Sequence, residues 1–143
     1  MKILIKPWGE AKLSAFLVRE EVFVKEQNVP IELELDELDE TATHALAYQG
    51  VLCIGTGRLV ELGNDQVQIG RMAVLVKYRG LGIGTKILEK LLNQAKTLGA
   101  KTVILHAQVT AIPFYKKLGF QTQGSSYLEA GIEHRNMILL LPN

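Results

Sequence analysis

The stretch that most constrains this chain is Arg79-Gly80-Leu81-Gly82-Ile83-Gly84, which lies between two apolar runs of different period. Ile69 to Val76 is strand-like and leads into it. Ile83 to Leu98 leads out, with Ile83, Ile87, Leu88, Leu91, Leu92, Ala95 and Leu98 in a stripe of helical spacing. Glycines at alternate positions remove Cβ atoms where the backbone must turn sharply or approach another group. A helix starting at such a turn presents free N–H groups at the positive end of its macrodipole. The pattern therefore predicts an anion site for a phosphate or pyrophosphate, with Arg79 as a fixed positive charge at its rim. A turn that is only structural is the plain alternative.

Bulk properties narrow the setting. The 143 residues match the usual size of one domain, residues 1–143, and the 48% apolar content is enough for one core. A net charge of +1 gives no case for nucleic acid or for an acidic membrane surface. Cys53 is the only cysteine, so no intrachain disulfide can form. No signal-peptide pattern or membrane-length apolar run is present, so a cytoplasmic, soluble protein is expected. The histidines are scattered and Cys53 is alone, so no metal site is expected. Charge is nonetheless uneven. Glu20 to Glu40 holds nine carboxylates against Lys25, and Lys77 to Lys101 holds six cations against Glu89. Such runs are usually solvated faces. Their functional reading is a basic end for an anionic cofactor and an acidic end for a cationic substrate.

In chain order, Lys2 to Lys6 reads as a strand broken by Pro7-Trp8-Gly9, and Ala11 to Lys25 as a helix ended by Asn28-Val29-Pro30. Ile31 to Thr43 is an acidic stretch readable as a short helix or a loop. His44–Tyr48, Val51–Val60 and Gln66–Val76 read as an antiparallel meander, with turns at Gln49-Gly50 and Gly63-Asn64-Asp65. Gly99 ends the helix after the glycine turn, and Thr102–Ala107 follows as a parallel strand through a right-handed crossover. Ala111–Leu118 reads as a short helix with Pro113 in its first turn, before two last strands, Phe120–Leu128 and His134–Leu141.

The glycine turn fails both common nucleotide patterns. G-x-G-x-x-G started at Gly80 ends on Thr85, and started at Gly82 it ends on Ile87. The Walker order is also wrong, because Gly84 is followed by Thr85-Lys86 and no glycine stands five residues before it. The stretch Met72 to Gly84 instead resembles the fourth strand and [QR]-x-x-G-x-[GA] loop of the GNAT acyltransferases. Ile112-Pro113-Phe114-Tyr115-Lys116-Lys117-Leu118-Gly119-Phe120 resembles that family's late helix. Arg19 to Gln27, then Asp36, Asp39 and His44, then Gly131-Ile132-Glu133-His134 with Met137, resemble its ElaA-like subgroup. The resemblance implies one GNAT-like α/β domain, with a mixed, mainly antiparallel, twisted sheet of about seven strands flanked by helices.

It also implies an N-acetyltransferase that passes an acetyl group from acetyl-CoA to a small-molecule or peptide amine by direct attack, with a homodimer allowed. The pyrophosphate would rest on the backbone N–H groups of Arg79, Gly80, Leu81, Gly82, Ile83 and Gly84, with the Thr85 hydroxyl close by. The pantetheine arm would pair with the backbone near Met72, Val74 and Val76, as an added strand does. Tyr115 is the candidate general acid for the leaving thiolate, since a phenol is protonated at neutral pH. The amine needs a base, and the strand-four position that often carries a glutamate is here Gln68. Glu26 and His134 are then the candidate bases, with His44, His106 or water as alternatives. Arginines in strands usually face solvent. Arg58 or Arg71 turned into the cleft would instead suit a carboxylate-bearing acceptor and pair with the acidic segment. A non-catalytic acyl-CoA-binding module and an acyl-homoserine-lactone synthase are the competing readings.

Overall fold

The computed structural model describes residues 1–142. Strand β1 (Lys2–Pro7) runs directly into helix α1 (Trp8–Arg19), three residues earlier than the apolar spacing indicates. Pro7 causes this, because its φ of −72° is already suited to a helix entry. Past Arg19 the helix does not stay α. Glu20–Glu26 is a π-helical segment, with the Gln27 N–H reaching back to the Val22 carbonyl at 3.1 Å. Asn28 then takes the left-handed conformation (φ 60°), and the Val29 N–H closes the end on the Phe23 carbonyl at 2.8 Å.

The acidic stretch is part helix and part turn. Helix α2 (Ile31–Glu34) is followed by a 3-10 turn, Glu37–Glu40, which Asp36 caps with its side chain on the Leu38 N–H. Strands β2 (Thr43–Gln49), β3 (Leu52–Gly63) and β4 (Gln66–Val74) form the antiparallel meander. Strand β4 is two residues shorter than its apolar run, so Val76 sits in a 3-10 turn, Val76–Tyr78, outside the strand. Helix α3 (Ile83–Thr97) crosses over to β5 (Thr102–Gln108), which lies parallel to β4. A short helix α4 (Ile112–Lys117) and the hairpin β6 (Gln121–Glu129) and β7 (Ile132–Leu140) complete the chain. One seven-stranded mixed sheet results, in the order β1-β2-β3-β4-β5-β7-β6.

Two packing features position the site. Helix α3 buries Ile83, Ile87, Leu88, Leu91 and Ala95 against β3, each large one contributing roughly 1.5–3 kcal/mol. It can lie that close because β3 presents Gly55 and Gly57. A Cβ on Gly57 would stand 2.6 Å from the Met72 sulfur and 2.9 Å from Leu91 Cδ1. The second feature is a bulge in β4. Pairing passes from Thr56↔Ala73 to Arg58↔Gly70, so Arg71 and Met72 both oppose Gly57, and Arg71 has φ 50°. Among the described residues no helix is long and apolar enough to cross a membrane.

Candidate active site

The parallel ladder between β4 and β5 is short. It runs from Gln66↔Thr102 to Ile69↔Leu105 and stops. Beyond it Gly70–Val74 and His106–Gln108 diverge and leave a split in the middle of the sheet. Gln68 lies in the closed part, opposite Ile104. The Leu75 N–H donates to the Ile54 carbonyl on the β3 side at 2.9 Å. Backbone direction alternates along a strand, so the peptide groups of Val74 face the split.

The glycine turn stands at the end of that split. Gly80 (φ 78°) and Gly82 (φ 80°) are left-handed, a conformation that costs other residues about 1–2 kcal/mol. Gly84 differs. It is helical, and a Cβ there would meet only Phe114 at an ordinary 3.6 Å. The first helical bond is Lys86 N–H to the Gly82 carbonyl (3.1 Å), so Ile83, Gly84 and Thr85 keep free N–H groups. This is the anion cradle that the turn predicts. Val76 lies beside it, 68% exposed, and Val74 and Met72 line β4 below.

Arg79 and the end of the π segment close the mouth of the split. Arg79 donates through Nε to the Val74 carbonyl (2.9 Å) and through both terminal nitrogens to the Glu26 carboxylate (2.7 and 2.6 Å). The next residue, Gln27, accepts from Gln108 Nε2 at the end of β5 (2.9 Å). Consecutive residues thus hold opposite lips of the split. The hydrogen bonds from Arg79 hold the Glu26 carboxyl below its usual range, which makes it a weak proton acceptor while the pair is intact.

Tyr115 sits on the α3 face of the sheet, 8% exposed, with its ring edge-on to Phe114 and Phe120 at 5.0 and 5.9 Å. Burial pushes its phenol up to about 12, so it is protonated throughout the working range. His134 lies on the opposite face, in register with Gln108. Its Nδ1 donates to the Ile132 carbonyl at 2.7 Å. A carbonyl only accepts, so Nδ1 carries a proton and Nε2 is the nitrogen that can take one. The structure therefore puts the candidate acid and this candidate base on opposite sides of the sheet, and pairs Glu26 with the loop. His44 is buried away from the split. Its Nε2 is 3.0 Å from the Asp39 carbonyl, and burial lowers its pKa.

The arginines are not solvent-facing. Arg19 pairs with Glu34 and with Asp39 (2.9 Å), Arg58 with Asp36 (2.7 Å) and Asp39 (3.1 Å), and Arg71 with Asp36 (3.1 Å). Three guanidinium groups thus meet three carboxylates beneath α2, and Trp8 stacks on Arg19 at 5.5 Å. Burial alone would raise the Asp39 carboxyl, but the hydrogen bond and charge of Arg19 outweigh it and hold the carboxyl low. Glu34 Oε2, Arg58 Nε and His44 Nδ1 are buried without a partner among the described residues. Much of the acidic run is therefore neither a solvated face nor a free acidic end. Its inner carboxylates neutralise arginines of the sheet and α1. Sequence separations of 15 to 38 residues hide these pairings from any local pattern.

A split parallel pair, an anion cradle at its end and a buried phenol beside it define an acyltransferase of the acyl-CoA type. A model of the GNAT acetyltransferase domain matches residues 9–141, and the chain belongs to that family. It is 42% identical over 139 residues to YjcF of Bacillus subtilis (strain 168), described as an uncharacterised N-acetyltransferase, covering 96% of this chain and 99% of that one. Escherichia coli ElaA superposes with a TM-score of 0.87 at 27% identity, over 96% of this chain and 99% of its own. An acyl-CoA N-acyltransferase from Pseudomonas aeruginosa superposes with a TM-score of 0.85 at 29% identity, over 96% and 99%. Among the described residues no group of three or more His, Cys, Asp or Glu side chains is placed to hold a metal ion.

Proposed function

We propose that this chain acetylates a primary amine, of a small molecule or a peptide, with acetyl-CoA as donor. The observation that carries the reading is the split between β4 and β5, ending at free N–H groups on a positive-φ glycine turn. A pyrophosphate fits the N–H groups of Gly80 to Thr85, and an extended arm fits the open edge at Val74. Arg79 now occupies the Val74 carbonyl, so an amide of the arm would share or replace that contact.

Each side chain then has a stated task. His134 Nε2 removes a proton from the amine: an N–H bond of the acceptor breaks, one forms on the imidazole, and the electron pair stays on the amine nitrogen. That nitrogen attacks the thioester carbonyl, the C–N bond forms and the C–S bond breaks. Tyr115 donates its proton to the departing thiolate, a transfer favoured by the lower proton affinity of a thiolate than of this buried phenolate. Placement of acid and base on opposite faces of the sheet supports separate proton routes in and out. The test is thermal stabilisation by acetyl-CoA, followed by thiol release against amines, polyamines, amino acids and peptides. Acceptor-dependent release is the expected result. Stabilisation without release on any amine would favour a binding module instead.

A further inference from the structure

One cluster of titratable groups is used by neither the core nor the scheme above. It lies on the His134 face, across β5, β6 and β7. Glu129 puts Oε1 3.1 Å from His106 Nδ1 and Oε2 3.8 Å from His134 Nε2. Tyr127 lies between the two imidazoles, stacked on His134 (centroids 6.2 Å apart, planes 20°) and edge-on to His106 (6.1 Å, 88°). The Tyr127 hydroxyl donates to Asn136, which fixes the ring. Glu129 itself is held by a two-residue hairpin turn, with Ala130 at φ 52° and Gly131 at φ 76°, and Glu129 paired to Ile132.

We propose that Glu129 is a positioning residue for the base, holding the charged form of His134 while His106 steadies the carboxylate from its other oxygen. The inference rests on the reading of His134 as base. At 3.8 Å the Glu129–His134 contact is too long for a hydrogen bond, and a neutral Nε2 offers the carboxylate no proton. Once Nε2 takes the proton from the amine, both ring nitrogens carry N–H. Nδ1 already has its acceptor in Ile132, and Nε2 then faces an anion. The pair is weak before proton transfer and attractive after it, as a group acting on the reaction rather than on the fold must be. The other charged groups nearby do not compete for this nitrogen. Glu133 and Arg135 alternate to the opposite face of β7, where Glu133 accepts from Ser126 and Arg135 donates to the Gly124 carbonyl. Glu129 also acts on Tyr127, whose phenol is pushed up first by burial and then by this carboxylate. Gln108, the neighbour of His134 on β5, is uncharged and engaged with Gln27.

The test starts with the free protein and needs no acceptor. The His134 imidazole is titrated by NMR in wild type, E129Q, E129D and H106N. E129Q should lower its midpoint by roughly half a unit to one unit, E129D should restore part of the shift, and H106N should move it less. Kinetics with the most active amine of the panel then add a pH profile. The acid limb of kcat/KM should move to lower pH in E129Q by the same amount, with KM for acetyl-CoA unchanged, and should vanish in H134Q. An unmoved midpoint and limb in E129Q, with the limb lost in H134Q, overturns the role of Glu129 alone. A limb that survives H134Q overturns the base reading, and with it the part played by Glu129 in the reaction.

Discussion

The glycine turn and the segment from Ile31 to Ala42 both flank the functional half of the sheet, and they are built in opposite ways. The turn works through backbone. Gly80 and Gly82 adopt left-handed angles, and free N–H groups face the split. The acidic segment works through side chains, with Glu34, Asp36 and Asp39 docked on Arg19, Arg58 and Arg71. A backbone device tolerates changes that keep its angles. A buried charge network tolerates none that leave one charge alone.

The largest effect should come from breaking that network. Arg19→Ala strands the buried Glu34 and Asp39 carboxylates and should cost about 3–5 kcal/mol in denaturant unfolding. If it costs no more than a surface substitution, the contrast between the two regions collapses. Tyr115→Phe should come next, with kcat about a hundredfold lower while the unfolding midpoint hardly moves. In wild type, the raised Tyr115 pKa means that the folded state holds its proton more tightly. That stability is complete below pH 10 and is lost as pH rises toward 12, as alkaline unfolding would show. Gly82→Ala should cost about 1–2 kcal/mol and raise KM for acetyl-CoA. No atom lies within 4 Å of the added Cβ, so the loss would be conformational, not steric.

Acid should act on the charge network before the turn. The His44 and Asp39 pKa values are both lowered by folding, so the unfolded chain takes up protons first. Stability is then full above the free imidazole value, roughly 6.5, and falls as pH drops. Denaturant midpoints against pH should fall less steeply at the first step in His44→Gln. The smallest effect is Glu26→Gln. Its pair with Arg79 is exposed, so stability should change by less than about 1 kcal/mol. Freed Arg79 should lower KM for acetyl-CoA. A large loss of kcat instead would make Glu26 the base.

What could be read in the sequence follows the same division. The meander, the crossover helix and the short helix before Phe120 rest on local periodicity and turn residues, and all lie where those patterns put them. The turn was readable because glycine spacing reports backbone angles directly. The charge network was not, because Arg19 and Glu34 become neighbours only after the sheet forms. Val76 was assigned to the strand since apolar character does not mark where pairing ends. The change from α to π past Arg19 leaves no trace in composition. The role of Gly57 as a seat for α3 was equally hidden, because it depends on Leu91 and Met72 arriving from elsewhere.

The wide segment Glu20–Glu26 has one further consequence, concerning chain length. A π turn holds one residue more than an α turn. Deleting a single residue there would restore α geometry and rotate everything beyond it by about 100°. Glu26 and Gln27 would then swing off the two lips that they bridge. Substitutions in this segment change one contact at a time, whereas a one-residue deletion would remove both.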